Sequence, residues 1–477
     1  MATSEALAVR TGRGMLWSGI ETFGMSAVSI VVSILLARLV TPAAFGLIVI
    51  IQVFIALGQV FADSDISQAL IRQPERTHSL DSAALYISVG MSLLCYLVLW
   101  MCAPLIADFY MQPQLIGIIR WIGLTIPLAG ACVVQTSRLS SKMRFRQMAG
   151  VTLCSTLAGG VAGVFMAYKG YGVTALIVQQ LTIWGTRALL LWTFFPWMPG
   201  LHLRLNEVRG LCRFSWKLLV SALIDTIYVN MYAPVIGKFF SATVTAMYWR
   251  ANSLASFIPQ GVQNVMCKVS LPSISAIRDD RGRTRCAYIR LIRCSCWLLF
   301  PICAIGIALA NPLFCWVLTD KWVGAVPLFR ILCASMALYP MHALNCTALN
   351  VYGRSDNFLR LEICKKIIGV LTLCIALPMG VIPLCYGVLL SGLINLVINI
   401  CYARPYIGLG IAAQLRLMLP SILCSLSAAA TAYMVSMLVS ALWAKVLCGA
   451  SAGMAIYLFL SIIANLRAPR EIKSLFS

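Results

Sequence analysis

Charge is what this sequence has least of. Only 11% of its 477 residues are Asp, Glu, Lys or Arg, where a soluble globular chain carries about 25%. Aspartate and glutamate together number 15 and histidine 3. His78, His202 and His342 stand far apart in loops or at a helix end. H-E-x-x-H is missing, so no metal site is expected. The G-x-x-x-x-G-K-[ST] loop is also missing and no connection could hold a nucleotide-binding domain, which excludes ATP-driven work by this chain alone. Cysteine is not scarce, at 19 residues, but it sits inside apolar runs such as TLCSTLAG and LTLCIALP, where it behaves as a small hydrophobe. The tightest grouping, Cys294-Ser295-Cys296, lacks zinc-ligand spacing, and no disulfide framework is legible. No cofactor is expected.

What fills the chain instead is apolar length. Hydrophobic residues make up 61% of it and mean hydropathy is +0.89. Runs of about 18 or more apolar residues are long enough to cross a bilayer as helices, and many are present, so the chain is expected to be an all-α polytopic membrane protein. About fourteen spans are predicted. The first six are 14–39, 44–66, 83–107, 116–136, 148–168 and 173–195. After a more polar stretch, PWMPGLHLRLNEVRGLCRFSWK, come 215–237, 244–266, 290–314, 327–349, 363–383 and 386–404, then 417–440 and 446–466. Arg10 and Arg13 before the first run resemble a signal-peptide charge region. That run is long and another follows at once, so an uncleaved first crossing is the expectation.

The net charge of +22 is read as topology, not as a nucleic-acid surface. Basic residues collect in cytoplasmic loops. With the N-terminus inside, RLSSKMRFRQ, the stretch with Arg204, Arg209, Arg213 and Lys217, and IRDDRGRTR all fall on the cytoplasmic side. So do about 28 of the 37 Lys plus Arg, as the positive-inside rule requires. Both termini are expected in the cytoplasm.

The spans also repeat. APLIADFYMQPQLIGIIRWIG in the third and fourth answers to NPLFCWVLTDKWVGAVPLFRILC in the ninth and tenth. Pro104-Leu105 pairs with Pro312-Leu313, Arg120 with Arg330, Tyr171-Gly172-Val173 with Tyr386-Gly387-Val388, and Arg38 with Lys238. The offsets run from about 200 to about 215 residues in chain order, so one alignment accounts for all four. Six helices separate the copies, so both insert with the same orientation. The expected architecture is two parallel-repeat six-helix bundles, 1–200 and 201–405, with a cavity between them, followed by an extra helix pair and tail at 406–477.

At this point the segments SILLARLVTPAAFGLIVIIQVF, QVFADSDISQALIRQ, APLIADFYMQPQL, GYGVTALIVQQL and LTDKWVGAVPLFRILC resemble the bacterial polysaccharide flippases of the colanic-acid and teichuronic-acid exporter type. These belong to the multidrug/oligosaccharidyl-lipid/polysaccharide exporter superfamily. The resemblance covers roughly residues 10 to 405. It implies secondary transport, by alternating access, of an undecaprenyl-pyrophosphate-linked oligosaccharide from the cytoplasmic to the periplasmic leaflet of the inner membrane. The chain would then serve exopolysaccharide, O-antigen or capsule synthesis beside a polysaccharide polymerase and glycosyltransferases. One departure stands out. The family's seventh helix commonly reads Asn-Arg-Asn-x-Asp, whereas this chain has YVNMYAPVIGK at 228–238, with Val229 and Tyr232 in place of the charged pair and Asn230 retained.

A diphosphate crossing hydrocarbon meets a cost of about 3 to over 10 kcal/mol per unpaired charge, which guanidinium groups lining a wet cavity can offset. Arg250 in AMYWRANS matches an arginine usual at that place in the family and is the first candidate. Arg38 and Arg187 follow, each with an alternative as a snorkelling or ion-paired side chain. Arg120 and Arg330 read as interface anchors. Glu21 and Asp225, each two turns into a helix, are candidates for ion coupling, with a buried ion pair as the alternative. Asp63 and Asp65 read as a solvated helix end. Asn230, Tyr248 and Trp249 are candidate sugar contacts, with the aromatic interface belt as the alternative for the rings. Three rival readings remain. A drug or cation antiporter of the same superfamily predicts more carboxylates than arginines in the cavity. A membrane polysaccharide polymerase, an enzyme, needs a catalytic loop longer than any here. A channel or scaffold needs no matched bundles.

Overall fold

The computed structural model describes residues 28–63, 67, 70, 77–200, 205–275, 277, 280–352 and 355–464. Among them every regular element is helical. The chain divides into two compact units, Met1–Ala246 and Met247–Ser477.

Unit 1 holds α1 (Val28–Leu39), α2 (Pro42–Asp63), α3 (His78–Tyr110), α4 (Gln114–Gly123), α5 (Thr125–Ser141), α6 (Phe145–Tyr168), α7 (Val173–Phe194), α8 (Leu205–Asn230) and α9 (Tyr232–Phe239). α10 (Ala242–Ser275) begins at its end. Unit 2 continues with α11 (Arg281–Ala308), α12 (Ala310–Leu318), a 3-10 turn at Asp320–Ala325, α13 (Val326–Ala337), α14 (Tyr339–Val351) and α15 (Ser355–Ala376). It closes with α16 (Val381–Ile407), α17 (Ile411–Leu438) and α18 (Leu442–Ile463).

Nine spans are long and apolar enough to cross a membrane among the described residues, and ten if α8 and α9, bent by 45° around Met231, count as one. The chain is therefore a multi-pass membrane protein. Of the four expected crossings not among these, the first, 14–39, lies partly outside the described residues, and the other three fall short for a physical reason. The windows at 173–195, 244–266 and 363–383 are helical, as α7, α10 and α15, but polar residues interrupt them. These are Gln179, Gln180 and Arg187 in α7, Arg250 and Asn252 in α10, and Glu362, Lys365 and Lys366 in α15.

Local signals set the helix ends. Thr77 caps α3, its hydroxyl oxygen accepting from the Leu80 amide at 3.1 Å, and Asp280 caps α11 by accepting from the Arg283 amide at 3.0 Å. α3 ends where Met111 turns left-handed at φ 54°. α4 and α5 are separated by Leu124 alone, and α13 and α14 by Leu338 alone.

In hydrocarbon the lipid tails are as apolar as leucine, so helix association relies on close packing. The core of unit 1 interlocks Leu47, Ile50, Ile51 and Ile55 of α2 with Leu115, Ile119 and Ile126 of α4 and α5. α8 and α9, which the repeat assigns to the second half, pack on α2 and α3. Glycines let backbones meet. Gly159 and Gly163 bring α6 onto α7, where a Cβ on Gly159 would lie 2.8 Å from the Gln179 carbonyl oxygen. In unit 2, Gly449 and Gly453 do the same for α18 on α17: added Cβ atoms would lie 2.9 Å from the Ala432 oxygen and 2.8 Å from the Ala428 oxygen. The tightest approach in unit 1 is at Gly46, where a Cβ would sit 1.7 Å from the carbonyl oxygen of Ala242.

Gly46→Ala is therefore expected to separate α2 from α10, with a loss of about 1–3 kcal/mol from overpacking and a fall in thermal stability in detergent. Gly90→Ala, where nothing lies within 4 Å of the added carbon, is the matched control and leaves stability unchanged or slightly raised. Equal melting of the two variants would refute the contact.

Candidate functional site

Within unit 1, α2, α5 and α7 enclose a cavity of about 200 Å³ lined by Gln59, Asp63, Cys132, Thr136, Trp184 and Arg187, among others. That volume holds several waters. Arg187 enters from α7. Its guanidinium lies 5.3 Å from the centre of the Trp184 ring, and its Nε is buried and makes no hydrogen bond among the described residues. Asp63, read from sequence as a solvated helix end, is exposed yet also lines this cavity. Chemically the site offers a guanidinium, a carboxylate, an amide and a hydroxyl around a wet space. It can hold a phosphate-bearing or hydroxyl-rich group, with the carboxylate setting how much positive charge the arginine presents.

One edge of the same unit is clasped. Asp81 at the start of α3 is 5% exposed and forms an ion pair with Arg138 of α5 at 3.6 Å. Arg138 lies 5.0 Å from the Trp197 ring centre, and Trp197 packs on His78 with ring centres 5.4 Å apart. The Gly200 amide donates to the Ser82 hydroxyl at 2.9 Å. In sequence, Arg138 reads as part of a cytoplasmic loop and His78 as a loop or helix-end residue.

Within unit 2, Arg250 is 3% exposed on α10. Its guanidinium lies 5.1 Å from the ring centre of Trp322 and 5.4 Å from that of Trp249, close enough for cation–π attraction. Trp322, on the 3-10 turn, is fully buried. The turn reaches α10 because Gly324 has no side chain: a Cβ there would lie 2.6 Å from the Met247 sulfur. Tyr248 is buried and Trp249 is exposed. In sequence the segment LTDKWVGAVPLF is legible as half of a repeat and as part of the family resemblance. Its tryptophan beside the key arginine is a tertiary contact, and no local pattern announces it.

The remaining candidates are dispersed. Arg38 is exposed at the end of α1, and Asp225 is exposed on α8. Asn230 is the last residue of α8 before the bend. Its amide donates to the Thr226 carbonyl oxygen at 2.9 Å, so in this conformation it secures the helix end. Glu21 lies outside the described residues. Lys238, the repeat partner of Arg38, donates to the Phe109 carbonyl oxygen and sits 4.2 Å from that ring's centre. Arg120 stacks 4.2 Å from the Trp100 ring centre. No group of three or more His, Cys, Asp or Glu able to hold a metal converges among the described residues.

Known proteins share this fold and sequence. The chain is 23% identical over 407 residues to the lipopolysaccharide biosynthesis protein WzxC of Escherichia coli (strain K12), covering 84% of this chain and 83% of that one. It is 20% identical over 345 residues to the teichuronic acid biosynthesis protein TuaB of Bacillus subtilis (strain 168), covering 72% and 71%. A solved structure of the lipid II flippase MurJ, in an inward closed conformation, superposes with a TM-score of 0.75 at 14% identity. That superposition covers 94% of this chain and 98% of the other, a likeness of fold. The model of the polysaccharide biosynthesis protein family matches residues 35–327, and the chain belongs to that family.

Proposed function

We propose that this chain flips an undecaprenyl-pyrophosphate-linked oligosaccharide from the cytoplasmic to the periplasmic leaflet of the bacterial inner membrane by alternating access. It feeds exopolysaccharide, O-antigen or capsule synthesis in company with a polymerase and glycosyltransferases. The observation that carries this reading is Arg250: a guanidinium 3% exposed in a helix of a multi-pass protein, with two indoles beside it. Burying such a charge in a bilayer is costly and marks a functional site by default. Arginine's planar fork fits two oxygens of a phosphate at once. Arg187 supplies a second cation in a cavity of its own, and Arg38 a third. Tyr248, Trp249 and Asn230 would meet the sugar.

The architecture that serves this is two parallel six-helix halves, 1–200 and 201–405, with 406–477 adding a pair, and fourteen crossings with both termini in the cytoplasm. The single-residue breaks at Leu124 and Leu338, in the fourth and tenth crossings, support the doubling. The polar helices α7 and α10 are the ones expected to border a hydrated route. Drive comes from an ion gradient, with Glu21 and Asp225 as carriers in the first and seventh crossings, or from consumption of the glycan on the far side.

In a strain lacking the chromosomal gene, lipid-linked oligosaccharide is expected to accumulate on the cytoplasmic leaflet, and the intact chain to clear it. Arg250→Ala should reach the membrane at normal levels yet leave the lipid uncleared. Arg250→Lys should be intermediate, because a point charge does not reproduce two parallel hydrogen bonds. Full clearance by Arg250→Ala would remove the residue on which the reading stands. Glu21→Gln is expected to reduce the dependence of export on the proton or sodium gradient, measured with ionophores.

A further inference from the structure

Unit 2 contains a second set of polar groups that the transport reading does not use. His342 of α14 lies within the Asp320–Leu349 span, its Nδ1 at 2.9 Å from the side-chain nitrogen of Asn399 on α16. Asn399 is 1% exposed, and its Oδ1 is buried and makes no hydrogen bond among the described residues. The Oδ1 of Asn395, one turn earlier on α16, is in the same condition. From α15, Lys365 forms an ion pair with Glu362 and contacts the sulfur of Cys346, one turn from His342 on α14, at 3.9 Å. Lys366 beside it is half-buried. α11 presents Tyr288 and Cys296 to the same core and carries a half-buried Arg293. On α13, Cys333 donates to the Cys303 carbonyl oxygen and Arg330 is exposed.

A neighbouring pair supplies the contrast. Asn345, less than one turn from His342, and Gln414 of α17 exchange both amide hydrogen bonds, at 3.2 and 3.0 Å. Each group there is satisfied in one arrangement, which locks it. Asn399 is different. Its NH2 now donates to Nδ1 of a neutral ring, while its oxygen stays idle in a buried place, a loss of about 1–3 kcal/mol for an unmade bond. If Nδ1 takes up a proton it becomes a donor. A half-turn of the Asn399 amide then brings that idle oxygen to accept from it. The acceptor for the charged state is already installed.

Resting on the flippase reading, we propose that His342 is a proton-binding site of the transport cycle, with Asn399 the partner that serves both of its charge states. One proton is bound at Nδ1 and one released per cycle, and no other bond changes. The Lys365 cation is balanced by the Glu362 carboxylate, and half-buried Lys366 and Arg293 add positive charge on the neighbouring helices. A proton on the ring adds one more, which sealed hydrocarbon-level packing disfavours and hydration favours. Proton binding thus selects the conformation in which this cluster is wet, and closure expels the proton.

The full chain has only three histidines, so nitrogen-labelled histidine in lipid bilayers resolves this ring by magnetic resonance, with His342→Gln identifying its signal. The ring is expected to pass from neutral to charged as the pH is lowered. Asn399→Asp should move that midpoint up by about one unit and Asn399→Leu move it down. In cells, export by His342→Gln should vary less than about twofold over the range in which the unaltered chain varies up to tenfold per unit of pH. A ring that stays neutral throughout overturns the proposal. So do Asn399 variants with an unmoved midpoint, or His342→Gln with the parent's pH profile at equal membrane levels. Absence of any lipid-linked oligosaccharide export by the unaltered chain would instead overturn the flippase reading, and the resonance titration would still judge His342.

Discussion

The constraint on which this molecule depends is that a polar group taken into hydrocarbon must bring its own solvation. Bulk water is absent there, so an arginine, a histidine or a lysine persists only where neighbours or trapped waters replace the lost hydration. Each buried cation described above meets that requirement differently. Arg250 has the faces of Trp249 and Trp322, Arg187 has a wet cavity and Trp184, and Lys365 has Glu362. Aromatic faces recur because an indole attracts a cation without requiring a second charge that must itself be desolvated.

The same constraint shapes the backbone. Helices in this chain meet through glycine where carbonyl oxygens must come close, at Gly46, Gly159, Gly449 and Gly453. They break at Leu124, Met231 and Leu338, and at Met231 the direction changes by 45°. The last pair, α17 and α18, is bound to α11 by the same device: Cβ atoms on Gly449 and Gly453 would come within 3.0 and 3.1 Å of Leu309 and Ile305 side chains. The terminal helices are therefore packed into the body of their own unit.

Hydropathy made the helical class, the hairpins and the membrane environment legible, because bilayer length is written directly as apolar run length. The helix count was less legible. α7, α10 and α15 are less apolar than the other long helices for the very reason that makes them interesting: their polar residues. Arg250 and Arg187 stood out as cations in apolar windows, and the family resemblance was carried by segments that the family model also matches. What surrounds them was not legible. Trp322 meets Arg250 across a long interval of sequence, and Asp63, which alone reads as a solvated helix end, shares a cavity with Arg187. His342 was passed over because ligand spacing along the chain says nothing about an asparagine 57 residues away.

The clasp of Asp81, Arg138 and Trp197 determines where unit 1 can bend. Parting the buried Asp81 carboxylate from its guanidinium is costly, and Trp197 rests on the same arginine, so the start of α3, the end of α5 and the segment after α7 are tied into one plate. Deformation is then left to joints without such a lock, and the kink around Met231 is the clearest of these. A rocking motion in this unit would be geared through that elbow, with the plate acting as its lever arm.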